Sequence, residues 1–447
     1  MPRANRPSLR TLCAGLLWLL ASSTPALADG VGLVGPDVTV YSLSGIGNYG
    51  GAAGYHGYSL GTTSCNIGDQ PVNWCDNFGG CSGLGWEQHP VIGQNLYRLK
   101  DGRFSQIGAS WLKHGFLSTN SNAGTSCTGP GGQTCTIPPR GGNELGIGCT
   151  DTYGSSLNGS RPLGMPAEVN PTTGLFPFPE TIIGTSTVVD QRMKVADADL
   201  DPALNPGALY WGEGHYISDN DALANNAFNN ASYRPVTVTA GTLDLSFTGS
   251  TIRERWAFDV WQVQDPAVET IRLEFASDGG ATLEGFNVGR RVTDLGGGNW
   301  HYEYVVHNMN SNRAAQALAI DFVDGASVTN IGFEDYDHHS GEYEPSDGMP
   351  ISTTDWATGF DGGTGVVSWE TETYAVSPHA NALRWSTMYN FWFDADMGPD
   401  EIASHTLALF KPGTPSSISF WESPTTPDIF SDGFETGDTS RWSSASP

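Results

Sequence analysis

The clearest hydrophobic pattern in the chain is an alternation of apolar and polar positions over residues 300–308. Because side chains alternate between the faces of a β-strand, the pattern predicts a strand with two unlike faces. The core-facing side comprises Trp300, Tyr302, Tyr304 and Val306. The other face, which we expect to be wetter, comprises His301, Glu303, Val305 and His307.

Further strand-like stretches recur over residues 166–425, separated by glycine-rich turns such as Asp278-Gly279-Gly280. We predict strands at Pro235–Ala240, Leu243–Phe247, Arg253–Val263 and Thr270–Phe275. Ala314–Ile320 is short enough to be a helix or a strand. The spacing of these stretches favours an all-β fold, an antiparallel β-sandwich over 166–425.

The preceding segment, 29–165, is rich in glycine and is expected to be dominated by loops packed with the sandwich. Within it, Gln94–Leu99 and Arg103–Gly108 flank Lys100-Asp101-Gly102, and Asp-Gly favours a tight hairpin turn.

We expect both ends of the chain to lie outside the folded part of the protein. Residues 1–28 combine arginines, an apolar run and Ala26-Leu27-Ala28, which predicts a cleaved signal peptide. The apolar run is too short to span a membrane, so no transmembrane segment is expected in the mature chain. Residues 426–447 form an acidic, aromatic tail. The expected location is secreted, extracellular or cell surface, with the periplasm as the alternative.

Six cysteines follow the predicted leader, all in the glycine-rich segment: Cys65, Cys75, Cys81, Cys127, Cys135 and Cys149. An even number of thiols in an exported chain favours disulfides. Cys75 with Cys81, and Cys127 with Cys135, are close enough to close short loops, but the sequence does not choose among the connectivities. A structural zinc site or a redox pair is the alternative, although no Cys-x-x-Cys occurs.

The composition is strongly acidic, with 48 acidic against 21 basic residues and a formal net charge of -27. Such a surface argues against nucleic acid as a partner. Phosphate-binding loops and dinucleotide fingerprints are absent from the sequence, so no nucleotide cofactor is expected. The 14 tryptophans and 15 tyrosines suit both strands and sugar-binding faces.

The first candidate metal site is the stretch 331–344, which concentrates carboxylates and imidazoles. Asp337 with His338 or His339 suits a transition metal, and His301 and Glu303 are able to complete the site from a neighbouring strand. The competing interpretation is a polar loop beside a solvated sheet face.

A candidate calcium loop lies at Asp197, Asp199 and Asp201, three carboxylates at alternate positions. Pro202 stands where an EF-hand needs glycine, so the loop would be of another type, with Asp219 and Asp221 as helpers. Turn-forming aspartates explain the pattern equally well.

Two other groups offer catalytic residue types. Ser110–Phe116 contains a serine, a lysine and a histidine, without the Gly-x-Ser-x-Gly motif of many hydrolases. His215 lies beside Glu213, and the pair is either an acid–base couple or structural.

Several phrases together resemble an uncharacterised family of exported bacterial proteins: Gln106–Phe116, Leu145–Asp151, Trp300–Asn312 and Asn381–Phe391. The Asp-Gly-Phe-Glu-Thr-Gly-Asp-Thr-Ser-Arg-Trp tail is similar to a terminal motif of many exported bacterial proteins. The resemblance implies one integrated exported unit and assigns no catalytic residue.

Three functions fit these observations. The favoured one is a non-catalytic secreted or cell-surface protein that binds glycan or another surface polymer, with calcium as a candidate cofactor. The second is a secreted metal-dependent hydrolase or oxidoreductase acting on a polymer. The third is a self-assembling envelope component.

Overall fold

The computed structural model describes residues 34–75, 88–122, 124–323, 325–339 and 341–421. The predicted signal peptide, Cys81 and the C-terminal tail lie outside the described residues.

The predicted all-β class is confirmed, since the described residues form many antiparallel strands and only short helices. The strands of the first half are Val38–Ala52 (β1), Tyr55–Asn66 (β2), Val72–Asn73 (β3), Val91–Lys100 (β4), Arg103–Ala109 (β5), Lys113–His114 (β6), Glu144–Leu145 (β7), Thr150–Tyr153 (β8), Met193–Ala196 (β9), Leu209–Ile217 (β10), Ala231–Val238 (β11) and Leu245–Phe247 (β12). Those of the second half are Glu269–Ala276 (β13), Leu283–Gly296 (β14), Asn299–Asn308 (β15), Ala315–Phe322 (β16), Val328–Glu334 (β17), Ala357–Asp361 (β18), Val366–Glu370 (β19), Met388–Ala395 (β20), Ile402–Leu409 (β21) and Ser417–Phe420 (β22). The α-helices are Ser155–Asn158 (α1), Asp197–Leu200 (α2), Asp219–Leu223 (α3) and Asp259–Gln264 (α4). None of the helices in the described part of the chain combines the length and apolar character that a membrane-spanning helix needs.

The first half forms one ten-stranded sheet in the order β1-β2-β9-β5-β4-β10-β11-β12, with β6 beside β4 and β8 beside β2. The sheet curls so that β1 approaches β11, where Ser232 Oγ donates to the Val40 carbonyl at 2.6 Å and Arg234 Nη1 to the Leu43 carbonyl at 2.8 Å. Because β9 to β12 belong to this sheet, it draws strands from both sides of residue 165.

The second half is a sandwich of two five-stranded sheets, β13-β14-β15-β20-β17 and β18-β19-β16-β21-β22. Their facing surfaces share a core in which Tyr302, Tyr304 and Val306 are fully buried with Trp369 and Phe391. The sandwich and the core face of the 300–308 strand are therefore confirmed.

The opposite face of that strand is not a solvated surface, and this expectation was wrong. Val305 and His307 are fully buried and Glu303 is 6% exposed. The reason is that the ten-stranded sheet packs on this face, where Val305 joins a core with Phe104 of β5 and Trp261 of α4. The two halves therefore share a buried interface.

Of two local predictions, the hairpin after β4 is confirmed and one strand is wrong. The hairpin is confirmed, because Lys100 pairs with Arg103 across a turn in which Asp101 and Gly102 both have positive φ. The strand predicted at Arg253–Val263 was wrong: α4 forms there, because Ala257, Val260 and Trp261 bury at helical rather than alternate spacing.

Two disulfides lie in the glycine-rich segment, Cys65–Cys127 and Cys135–Cys149. Cys127 therefore closes a long loop rather than the short one to Cys135. Cys75 is also disulfide-bonded. These bonds fit a protein of a non-cytoplasmic compartment.

Candidate functional site

A narrow cleft lies where the loops of the two halves meet, and the space inside it that the centres of water-sized molecules can occupy is ≈ 40 Å³. Three loops supply most of its walls. Ser110–Leu112 follow β5, the 336–342 loop follows β17, and Arg384–Thr387 precede β20. Loops at strand ends are where binding sites commonly form on a rigid sheet scaffold.

Hydrogen bonds fix these loops to one another. Tyr336 Oη and His339 Nε2 both donate to the carbonyl of Ala109 at the end of β5, at 3.2 and 2.9 Å. Trp385 Nε1 donates to the Pro166 carbonyl at 3.0 Å. The cleft therefore has a built wall rather than a chance gap between halves.

Four side chains that line the cleft each keep a buried polar atom without a hydrogen-bond partner: Ser110 Oγ, Trp111 Nε1, His338 Nε2 and Arg384 Nε. An unsatisfied buried donor or acceptor costs about 1–3 kcal/mol. All four residues line the same cleft, but these atoms are covered by neighbouring side chains, so a ligand with oxygen atoms or hydroxyls would gain them as partners only by displacing that cover.

Charged groups in the cleft wall are held in buried pairs. Arg384 Nη1 donates to Glu344 Oε2 at 2.7 Å, with both side chains less than a tenth exposed. His338 Nδ1 donates to Glu342 Oε2 at 3.2 Å. Because the carboxylate binds Nδ1, Nε2 is the ring nitrogen left without a partner.

Burial and neighbouring groups shift the pKa values of three residues in the cleft wall. Burial opposes ionisation of Glu342, but the charge and hydrogen bond of His338 outweigh it and lower the Glu342 pKa. Burial lowers the pKa of His339 to about 4, so this imidazole is neutral near pH 7. Burial also lowers the pKa of Lys411, at the far side of the cleft.

Glu342 orients the His338 imidazole through a hydrogen bond, as the acid orients the histidine in a catalytic triad. Ser110 lines the same cleft, yet neither Ser110 Oγ nor His338 Nε2 has a hydrogen-bond partner, so the two do not form a nucleophile–base pair.

The residues proposed for a transition metal fall into two separate groups. His301 uses both ring nitrogens, bonding Asp394 Oδ1 at 2.6 Å and Glu303 Oε2 at 3.3 Å. His338 and His339 are buried and bonded as described above, whereas Asp337 is exposed.

Across the described ranges, no three His, Cys, Asp or Glu side chains converge for one ion. The transition-metal site stays a prediction. Elemental analysis of the purified protein and of a His338→Ala variant checks it.

The three aspartates of the candidate calcium loop have different partners. Asp197 Oδ1 contacts His56 Nδ1 at 2.6 Å, and Asp199 Oδ1 accepts from Arg98 Nη1 at 2.7 Å. Asp201 accepts the amide of Ala203, which is the turn-forming role. This calcium loop also remains a prediction.

The other catalytic residue types are in separate, buried environments. His114 Nδ1 lies 2.8 Å from His89 Nε2, and burial lowers its pKa to about 3. Glu213 and His215 are fully buried and 3.9 Å apart, and burial raises the Glu213 pKa to about 7.

The sequence prediction missed the cleft as a site, although it singled out three of its parts. One part holds the candidate metal ligands His338 and His339. Ser110–Phe116 and Asn381–Phe391 both carry the family resemblance, and both contribute to the cleft wall. Their convergence depends on packing between the halves, which no local pattern encodes.

Comparison with known proteins shows no matching family model and no matching curated protein. Among solved structures, the exo-chitosanase CsxA of Amycolatopsis orientalis is 9% identical, with 80% of this chain and 25% of that chain covered and a TM-score of 0.15. The chain thus spans a quarter of the chitosanase. The collagen binding domain of the Erysipelothrix rhusiopathiae surface protein RspB is 8% identical, with 85% of this chain and 93% of that domain covered and a TM-score of 0.15. Likenesses at this TM-score carry no inference about function.

Proposed function

We propose that the protein is a secreted or cell-surface glycan-binding protein whose ligand enters the cleft between its two halves. The observation that carries this proposal is the set of four unpartnered polar atoms among aromatic walls. Two of them, Trp111 Nε1 and Arg384 Nε, are donors only. Ser110 Oγ is able to accept, and His338 Nε2 accepts when the ring is neutral and donates when it is protonated.

A sugar matches this arrangement because each hydroxyl both donates and accepts, and its C–H face packs on aromatic rings. Trp111, Trp385 and Tyr336 supply apolar surface beside the polar atoms. A few placed polar groups in a largely apolar pocket are the usual form of a small-ligand site. The narrow cleft favours the end or a side branch of a chain over a long segment lying across it.

The predicted leader and the disulfides support a location outside the cytoplasm, where surface polymers are met. Binding without turnover is supported by the lack of a hydrogen bond between Ser110 Oγ and His338 Nε2. A glycan-binding protein leaves the bound polymer at its original length, whereas a polymer hydrolase shortens it, so the length of the bound polymer distinguishes the two functions.

A glycan array and a panel of labelled polysaccharides test the proposal with the purified protein. We expect saturable binding to a restricted set of glycans, with no shortening of the bound chains. Failure to bind across a broad array would overturn the proposal, and depolymerisation would replace binding with catalysis.

A pair of matched variants locates the binding site. Trp111→Phe keeps an aromatic ring in the cleft but removes the unpartnered Nε1, so binding should weaken several-fold. Trp300→Phe makes the same change outside the cleft lining and should bind like the unaltered protein. Equal affinity of both variants would place the ligand elsewhere.

A further inference from the structure

A second polar cluster lies outside the cleft lining, at the start of the ten-stranded sheet. Asp37 precedes β1, Asp221 lies in α3, and Asn229 and Asn230 are adjacent before β11. The backbone amide of Val38 donates to Asp221 Oδ1 at 2.9 Å, so the start of β1 and α3 are in direct contact.

Hydrogen bonds join these four side chains in two pairs, and the Val38 amide links the start of β1 to the pair that contains Asp221. Asn230 Nδ2 donates to Asp221 Oδ2 at 2.7 Å, and Asn229 Nδ2 donates to Asp37 Oδ2 at 3.2 Å. Each amide nitrogen is thus turned toward a carboxylate.

Three oxygens of the group are left buried and without a partner: Asp37 Oδ1, Asn229 Oδ1 and Asn230 Oδ1. Asp37 and Asn230 are fully buried. All three atoms accept and cannot donate when Asp37 is ionised, so the group is short of positive charge or of donors.

The charged groups that act on these two carboxylates are other acids. Asp221 and Glu254 act on Asp37, and Asp219 acts on Asp221.

We propose that Asp37, Asp221, Asn229 and Asn230 form a calcium site that joins the start of β1 to α3 and the turn before β11. Calcium takes carboxylate, amide and carbonyl oxygens with flexible geometry. The all-oxygen set, without His or Cys, disfavours zinc and copper. Backbone carbonyls and water complete the coordination.

This site differs from the Asp197, Asp199 and Asp201 loop predicted from the sequence. It has only two carboxylates, which is consistent with the absence of any three acidic, His or Cys side chains gathered for one ion in the described residues. The site is independent of the glycan proposal.

The test is calcium titration of the purified full-length protein after chelator treatment, followed by thermal unfolding and equilibrium dialysis. We expect one ion bound per chain and a saturable rise in the unfolding temperature. Asp37→Asn should bind calcium at least tenfold more weakly, and the matched control Asp294→Asn should bind it like the unaltered protein, because Asp294 is exposed and accepts from the Gly296 amide at 2.7 Å.

The measurement in chelator separates an ion site from a purely structural cluster. Asp37→Asn removes repulsion between buried acids, so without calcium it should be at least as stable as the unaltered protein. Equal destabilisation with and without calcium, or no bound ion, would overturn the proposal.

A second variant guards against misfolding of the first. Asn229→Ala removes one unpartnered oxygen from a half-buried residue and keeps the backbone carbonyl that accepts from Thr39 Oγ1 at 2.8 Å. It should fold and weaken calcium binding. Unchanged calcium affinity in this variant would remove Asn229 from the site and contradict the proposal as stated.

Discussion

Arg103 on β5 ties the ten-stranded sheet to the sandwich, and its removal should be one of the costliest single changes at the interface. Its Nε donates to Glu303 Oε1 at 2.6 Å and its Nη2 to Glu303 Oε2 at 3.0 Å. The guanidinium also lies 3.6 Å from the centroid of the Trp392 ring.

The magnitude follows from burial. The Glu303 side chain is 7% exposed and that of Arg103 28%, so Arg103→Ala leaves a buried carboxylate without its bidentate partner. Removing one member of a buried pair costs about 3–5 kcal/mol, and the lost ring contact adds about 0.5–1 kcal/mol. We therefore expect a loss of about 3.5–6 kcal/mol in the free energy of unfolding.

Urea unfolding followed by tryptophan fluorescence measures this loss. The matched control is Arg255→Ala, since Arg255 pairs with Asp259 at 3.2 Å with side chains 48% and 35% exposed. Such a pair contributes about 0–1 kcal/mol. A cost for Arg103→Ala within about 0.5 kcal/mol of the control would refute the argument that this ion pair is buried between the halves.

Two further predictions concern the disulfides and the histidines. Cys65–Cys127 spans 62 residues and Cys135–Cys149 spans 14, so loop-closure entropy makes the first disulfide more stabilising, at about 4 against about 3 kcal/mol. Urea unfolding of variants with serine in place of each cysteine pair checks this order. The reverse order would contradict the prediction. The hydrogen bond to Glu303 raises the pKa of His301 against the effect of burial. Because the folded state then holds the proton more tightly, this stabilisation is complete below the ordinary value of 6.5 and is lost as pH rises through the raised pKa. The stability advantage over His301→Gln should thus be larger at about pH 5.5 than at about pH 8.5, and an advantage independent of pH would show that His301 does not titrate with folding.

The sequence was most informative where structure depends on near neighbours. The Asp101-Gly102 turn and the alternation of Tyr302, Tyr304 and Val306 follow from backbone sterics and strand periodicity, and both are confirmed. The same periodicity failed at Arg253–Val263, where aromatic residues at mixed spacing allowed a strand but bury as a helix.

The features that the sequence did not predict depend on contacts between segments that are distant in the chain. His307 was expected on a wet face because a two-sheet sandwich leaves one side of each sheet exposed, and the sequence contains no sign that Trp256 and Phe258 pack against it. The partners of Cys127 and of Cys65 likewise follow from the pairing of strands far apart in the chain. The cleft joins residues 110, 338 and 384, whose proximity exists only after the halves have packed.

The central claim, that the cleft binds a glycan, is tested most directly by the dissociation constant of the best array ligand for Ser110→Ala. Ser110 Oγ is buried without a partner, so its removal should leave stability unchanged or higher, while a lost ligand hydrogen bond of about 0.5–1.5 kcal/mol weakens binding about 2–12-fold. The control is Ser404→Ala, whose hydroxyl donates to Asp321 Oδ2 at 2.8 Å outside the cleft lining. We predict weaker binding for Ser110→Ala alone; equal dissociation constants for the two variants and the unaltered protein would contradict the claim.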